Sequence, residues 1–130
     1  MNQQLLSSLW LILVSTIAGV AGQVSLKLGM SQPGAEETVS EGVLSLIALI
    51  LRTPLVWLGL MFYGIGALAW IAVLSRLDLS VAYPFLALNF VLITIISRLF
   101  LGETVPLLRW AGIGVIVVGI LLVARSTTAS

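Results

Sequence analysis

The chain consists of long apolar runs separated by short segments that carry charged or turn-forming residues. A helix rises about 1.5 Å per residue, so about 20 apolar residues are needed to cross a hydrocarbon core about 30 Å thick. Four runs reach that length, at about residues 9–30, 55–75, 80–101 and 105–124. The pattern therefore predicts an all-α membrane protein in which residues 1–130 form a single domain of four transmembrane helices.

A fifth apolar segment, at about residues 42–52, is too short to cross a membrane. It covers about half of the hydrocarbon thickness, which predicts a short helix lying at the interface or a kinked extension that leads into the second span. The polar residues 31–37 before it include a proline and a glycine and predict a loop. The connections at 76–80 and 102–106 are short, so neighbouring spans are expected to run antiparallel and to pack together.

Composition narrows the possible functions further. Of the 130 residues, 60% are apolar and 8% are charged, whereas a water-soluble domain carries about 25% charged residues. The net charge of +1 gives no long-range field to attract nucleic acid. The sequence contains no Cys and no His, which excludes disulfides, thiolate catalysis and imidazole metal ligands. We therefore expect a small polytopic membrane protein.

Two of the predicted spans carry polar side chains along one helical face. Spacings of three and four residues align Thr16, Val20, Gln23 and Lys27 on the first span, and Tyr83, Ala87, Phe90, Thr94 and Arg98 on the third span, with Asn89 beside them. The first and third spans run in the same direction, which places Lys27 and Arg98 at one membrane level. Polar groups inside a membrane are costly, so each is a candidate for function. Two cations beside hydroxyl and amide groups suit an anion with an apolar tail, such as a lipid phosphate.

The charged residues near this face also have a simpler interpretation. Lys27 and Arg98 lie close to helix ends, from which long side chains extend to the lipid headgroups. Arg98 can alternatively pair with Glu103, five residues later in a tight turn, and the interpretation that we favour for Glu103 is that it stabilises this turn. The other acidic residues also lie outside the predicted spans, so no carboxylate stands in the middle of the membrane for proton-coupled export of a cation.

Glycines on the second and fourth spans indicate close helix packing. Gly112 and Gly119 are seven residues apart, about two helical turns, and share a face on which another backbone can approach closely. Because four helices hardly enclose a substrate path, we expect this face to mediate dimerisation, with packing inside the chain as the alternative. The second span carries Gly59, Gly64 and Gly66 together with the aromatic residues Trp57, Tyr63 and Trp70. This composition indicates either the flexible wall of a groove or, as we favour, close helix packing flanked by interfacial aromatic residues.

Several segments, taken in order, resemble one known superfamily. They are Ala21–Lys27, Leu74–Pro84, Leu88–Phe90 and Leu101–Glu103, followed by Arg109–Gly114 and Gly119–Leu122. From about Leu9 to Ala124 the chain resembles the four-helix members of the drug/metabolite transporter superfamily, which includes small multidrug resistance-like and EamA-like proteins. Within it, the chain is most similar to the two small subunits of the aminoarabinose–phosphoundecaprenol flippase, which share its Ala-Gly-Gln…Lys and Ala-Tyr-Pro…Leu-Asn-Phe patterns.

The resemblance implies a lipid flippase and not a drug exporter. The drug-exporting branch has an essential glutamate in its first helix, at a position that falls near Gly19 of this chain. It also has a tryptophan in its third helix, where this chain has Leu86. The resemblance instead implies translocation of a saccharide linked to undecaprenyl phosphate, or to a similar polyprenyl phosphate, across the bacterial inner membrane. It also implies a dimer, either of two copies of this chain or of this chain with a related small subunit.

A specific hypothesis for the site follows from the residues and the resemblance together. Lys27 and Arg98 are expected to bind the phosphate. The path of the sugar is expected to be lined by Gln23, Tyr83 and Asn89. The prenyl tail is expected to stay in the membrane lipid beside the second span. This function implies no metal or other cofactor and no covalent chemistry, so the chain is not expected to be an enzyme.

Two other functions stay open at this point. A proton-coupled exporter of small cationic compounds or metabolites requires Glu103 or Asp78 to reach the cavity, and substrate-driven proton release would support it. A non-transporting subunit that positions a glycosyltransferase would copurify with that enzyme and move no substrate by itself.

Overall fold

Seven α-helices make up the secondary structure of residues 3–127, the part of the chain that the computed structural model describes. They are α1 (Gln3–Met30), α2 (Ala35–Ser40), α3 (Val43–Arg52), α4 (Pro54–Leu74), α5 (Leu79–Leu86), α6 (Leu88–Leu99) and α7 (Leu107–Ser126). Four apolar helical segments are long enough to cross a membrane, namely α1, α4, α5 with α6, and α7. The all-helical fold class with four such segments is therefore confirmed, and α3 is the short apolar helix expected before the second span.

Facing glycines bring α1 and α4 into close contact. A β-carbon at Gly22 would lie 2.8 Å from the carbonyl oxygen of Gly59, and a β-carbon at Gly59 would lie 2.8 Å from the carbonyl oxygen of Gly22. Further along, a β-carbon at Gly66 would lie 3.2 Å from the carbonyl oxygen of Ser15, whose hydroxyl donates a hydrogen bond of 3.1 Å to the Gly66 carbonyl. Small residues at such a contact let two membrane helices approach closely. Gly59 and Gly66 thus serve helix packing, whereas a β-carbon at Gly64 would meet nothing within 4 Å.

The third span is interrupted at Ala87, although the sequence pattern predicts one helix over about residues 80–101. Pro84 lies inside α5, where it has no N–H to donate and its ring crowds the carbonyl group four residues earlier. The N–H of Ala87 donates to the Pro84 carbonyl and the N–H of Phe90 donates to the Ala87 carbonyl, both at 3.0 Å, so the chain tightens at this point. Irregular backbone at membrane depth is tolerated where it borders a cavity or other protein. The interruption therefore marks the region in which to look for a binding site.

The polar segment after α1 contains a short helix. Residues 31–37 are predicted as a loop, but α2 begins within them. Gly34 has a φ of 83°, the left-handed conformation that glycine adopts easily, and the Thr38 hydroxyl donates a hydrogen bond of 2.9 Å to its carbonyl oxygen. The Gln32 side chain donates to the Thr53 hydroxyl at 2.9 Å and so fastens this segment to the start of α4.

Within the described chain, α3 and α7 leave apolar surface uncovered. On α3 the side chain of Leu44 is 83% exposed, and the buried residue of this helix is Leu49. On α7 the buried residues are Ile120 and Ala124, which join the core formed with α1, α4 and α5 near the C-terminal end of the helix. At the other end of α7, Leu107 is 84% exposed. Such surfaces face lipid or a second protein chain.

Candidate substrate-binding site

A cavity of about 580 Å³ lies between α1, α4 and the interrupted third span. Its wall is formed by Ser15, Gly19 and Gln23 of α1, by Tyr63, Gly66, Ala67 and Trp70 of α4, and by Tyr83, Leu86, Ala87, Asn89, Phe90 and Ile93 of the third span. None of these lining residues is charged. A volume of this size is typical of small-molecule sites, in which apolar walls carry a few placed polar groups. We call this space the neutral cavity.

Aromatic rings and an amide shape the neutral cavity. Trp70 and Tyr83 meet edge to face, with ring centroids 5.9 Å apart and ring planes at 84°. The side-chain amide of Gln23 donates a hydrogen bond of 2.8 Å to the Tyr63 hydroxyl, which holds both groups and leaves the hydroxyl proton of Tyr63 to be donated elsewhere. A ligand here meets ring surface and hydrogen-bonding groups side by side. A sugar ring, with apolar C–H faces and a rim of hydroxyls, has the matching chemistry.

The side chain of Asn89 contributes an acceptor without a partner. Its Oδ1 is buried and has no hydrogen-bond partner within residues 3–127. Gly19 lies opposite, where a β-carbon would stand 3.8 Å from this oxygen. A buried acceptor that stays unpaired costs about 1–3 kcal/mol, and a hydrogen bond from a ligand would remove this cost. Sugar hydroxyls and amines are such donors.

A second cavity, of about 280 Å³, adjoins the first. Gln23 and Ile93 line both cavities. The additional lining residues are Val24, Lys27, Ser97, Leu101 and Glu103. Lys27 lies in the last turn of α1, on the membrane side where α6 ends and α7 begins. We call this space the charged cavity, because it places a cation next to the uncharged chamber.

The structure distributes the predicted site residues between these two spaces. Gln23, Tyr83 and Asn89 line the neutral cavity, and Lys27 lines the charged cavity. Arg98 is exposed on α6 and lines neither of them. Within the described residues Arg98 also makes no ion pair with Glu103.

The cavity-facing side of α1 differs from the predicted polar face. Ser15, Gly19 and Gln23 line the neutral cavity at four-residue intervals, whereas Thr16 and Val20 are buried in helix packing. Two aromatic residues of α4, Tyr63 and Trp70, also line the cavity, although the sequence pattern favours interfacial roles for them. In the sequence these two aromatic residues stand about two helical turns apart on a span rich in glycine. Only the packing of α4 shows that they face the cavity.

Two further groups of predicted residues lie outside the neutral cavity. Glu103 follows Gly102, whose φ of 68° is left-handed, and the Glu103 N–H donates a hydrogen bond of 3.0 Å to the Ser97 carbonyl. β-Carbons at Gly112 and Gly119 would meet nothing within 4 Å, so these glycines do not pack against other described parts of the chain. Residues 3–127 contain no group of three or more acidic, Cys or His side chains that could hold a metal ion.

The fold defines a small multi-pass membrane protein in which a neutral, aromatic cavity adjoins a cavity lined by charged side chains. A probable 4-amino-4-deoxy-L-arabinose-phosphoundecaprenol flippase subunit ArnE of Pseudomonas fluorescens (strain Pf0-1) is 37% identical over 121 residues, covering 92% of this chain and 99% of that relative. The ArnE subunit of Pseudomonas savastanoi pv. phaseolicola is 39% identical over 117 residues, covering 89% of this chain and 96% of the relative. The chain belongs to this family of flippase subunits, which confirms the resemblance expected from its sequence. No protein-family model and no solved structure matches the chain.

Proposed function

We propose that this chain is a subunit of a flippase that moves a polyprenyl-phosphate-linked sugar between the leaflets of the bacterial inner membrane. The observation that carries the proposal is the junction at Gln23 and Ile93, where the neutral cavity meets the cavity lined by Lys27. The relatives are named for a substrate with the corresponding parts, a sugar joined through phosphate to a prenyl chain. Such a transfer makes and breaks no bond, so the proposed role is transport and not catalysis.

The sugar is proposed to lie at the junction of the two cavities, with one face of its ring against the neutral cavity. Asn89 offers a buried acceptor that lacks a partner in the described chain, and Tyr63 retains a hydroxyl proton to donate. The ring of Tyr83, held edge to face with Trp70, offers apolar surface to the C–H face of a sugar. These groups can bind a sugar. Because none of them is charged, they do not draw the phosphate too deep into the membrane.

The phosphate is proposed to bind Lys27 in the charged cavity. A lysine acts on phosphate as a compact point charge, and charge-assisted hydrogen bonds are about twice as strong as neutral ones. Arg98 is proposed to act from outside, since it is exposed on the same membrane side and can attract the anionic headgroup before it reaches Lys27. The prenyl tail is proposed to stay in lipid beside α4, where Leu68 is 70% exposed.

Asn89→Leu is expected to weaken ligand binding without destabilising the protein. The variant removes the unpaired buried acceptor, so the melting temperature of the purified protein should stay equal or rise. The affinity for the sugar-linked lipid should fall about tenfold, the equivalent of one good hydrogen bond to the ligand. Both are measured on protein in lipid nanodiscs, by thermal unfolding and by titration with the lipid.

The matched control is Thr94→Val. Thr94 lines neither cavity, and its hydroxyl donates a hydrogen bond of 2.7 Å to the Phe90 carbonyl of its own helix. Equal affinities of wild type and Asn89→Leu would remove Asn89 from the sugar site.

Two chains are proposed to associate through the glycine face of α7. Gly112 and Gly119 leave open space where a second backbone can approach, and the relatives are named as subunits. Gly119→Leu is expected to reduce the dimer fraction several-fold in native mass spectrometry from detergent, since the new side chain would hold the second backbone away. Gly64→Leu on α4 is the control, because a β-carbon there also meets nothing within 4 Å but lies outside the proposed face. A dimer fraction that is unchanged in Gly119→Leu would contradict this interface.

Proton-coupled export of a small cation is the second candidate function. It is favoured by one observation, that Glu103 lines the charged cavity, and a carboxylate that binds proton and cation in turn is what such export needs. Asp78 lines neither cavity. Cation-driven proton release from the purified wild-type protein, absent from Glu103→Gln, would support export over lipid translocation.

A further inference from the structure

We infer that Glu103 binds the positively charged amino group of the transported sugar, so that the charged cavity recognises a headgroup bearing both signs of charge. This inference rests on the proposed function and deepens it, because it names the chemical feature by which one sugar-linked lipid is selected. It assigns to Glu103 a role in substrate specificity in place of the turn-stabilising role favoured from the sequence.

The charged cavity holds two opposite charges that do not satisfy each other. Lys27 and Glu103 both line it and both are exposed. Within residues 3–127, no carboxylate oxygen of Glu103 lies within 4.0 Å of the Lys27 ammonium nitrogen. Their separation suits a ligand that brings a negative group to Lys27 and a positive group to Glu103.

The turn at Glu103 is built by the main chain and leaves the carboxylate unused. Gly102 supplies the left-handed φ of 68°, and the Glu103 N–H closes the turn on the Ser97 carbonyl at 3.0 Å. Within residues 3–127 the Glu103 carboxylate takes part in no hydrogen bond or ion pair. The backbone thus fixes the position of residue 103, while its charge is available to a ligand.

Glu103 is also the one acidic residue placed for this task in the described chain. The neutral cavity contains no carboxylate. Glu36 and Glu37 lie in the first turn of α2, Glu41 follows that helix, and Asp78 precedes α5; none of the four lines either cavity. The substrate for which the relatives are named carries an amino group on its sugar as well as a phosphate. An ammonium bound by a carboxylate forms a charge-assisted hydrogen bond between two full charges. The uncharged amide of an N-acetylated sugar cannot form such a pair.

The test compares two lipids that differ only in this charge. Undecaprenyl phosphate bearing 4-amino-4-deoxyarabinose and its N-acetyl derivative are titrated against the protein in nanodiscs, with affinities measured by native mass spectrometry. Wild type is expected to bind the free amine about tenfold more tightly than the N-acetyl lipid. Glu103→Gln is expected to lose this preference while its affinity for the N-acetyl lipid stays the same. Glu103→Asp should restore part of the preference, and Glu41→Gln, the same chemical change outside the cavities, should keep all of it.

The outcomes separate this inference from the function on which it rests. If wild type binds both lipids equally, or if Glu103→Gln keeps the preference, Glu103 does not bind the amine, and the flippase proposal is unaffected. Equal loss of affinity for both lipids in Glu103→Gln would likewise overturn the inference, because it would indicate a structural role. If wild type binds neither lipid, it is the proposed function that fails.

Discussion

Lys27→Ala is expected to weaken binding of the polyprenyl-phosphate-linked sugar by about tenfold or more, because it removes the charged partner of the phosphate. Lys27 is the only cation among the residues that line the neutral and charged cavities. Both the amine and the N-acetyl form of the lipid should be affected equally, since both carry the phosphate. Titration of the protein in nanodiscs with either lipid measures the effect.

Two controls make the result of Lys27→Ala specific. Lys27→Arg keeps the charge and should retain most of the affinity. Arg109→Ala removes an exposed cation near the start of α7 that lines neither cavity, and it should leave the affinity within about twofold. An affinity of Lys27→Ala equal to that of Arg109→Ala would show that the side chain of Lys27 only extends to the lipid headgroups.

Gly59→Val is expected to separate α1 from α4 and to destabilise the protein by about 3 kcal/mol or more. The β-carbon alone would lie 2.8 Å from the backbone oxygen of Gly22 and 2.9 Å from Cγ of Leu26. A backbone atom cannot move aside as the end of a flexible side chain does. The binding cavity should be lost with the helix pair, because α1 and α4 form two of its walls.

The comparison for Gly59→Val is Gly64→Val on the same helix, where a β-carbon would meet nothing within 4 Å. Thermal unfolding in detergent, followed as the loss of monodisperse protein in size-exclusion chromatography, reports the difference. Gly64→Val should unfold close to the wild-type temperature, and Gly59→Val should be largely aggregated. Equal unfolding temperatures for the two variants would contradict the close contact of α1 with α4.

The number of spans could be predicted because it depends on apolar length alone. A run of apolar residues bounded by charges must match the thickness of the bilayer, and this holds before any tertiary contact is known. The interruption at Ala87 could not be predicted from Pro84 alone. Proline is tolerated in membrane helices, and whether it interrupts one depends on the neighbouring helices. The short helix α2 was missed because its polar sequence resembles a loop, and it depends on the left-handed Gly34.

The binding site could be predicted in part, at the level of helical faces. Gln23, Tyr83 and Asn89 line the neutral cavity, as expected from polar groups that have no other place in a membrane. The rotation of α1 about its axis could not be predicted, because it is set by the contact of Gly22 with Gly59. This contact turns Ser15 and Gly19 towards the cavity and buries Thr16 in helix packing. The place of Glu103 at the charged cavity depends on a turn whose direction is set by the φ of Gly102.

The proposed flippase function is tested most directly by translocation of the lipid in proteoliposomes. Undecaprenyl phosphate bearing 4-amino-4-deoxyarabinose is placed in both leaflets, and an amine-reactive reagent that does not cross the membrane modifies the headgroups that become accessible outside. We expect wild-type protein to make the inner-leaflet lipid accessible over time, and Lys27→Ala to reduce this exposure to the level of protein-free liposomes. If folded wild-type protein, in the assembly isolated from the membrane, exposes no more lipid than protein-free liposomes do, the proposed flippase function is wrong.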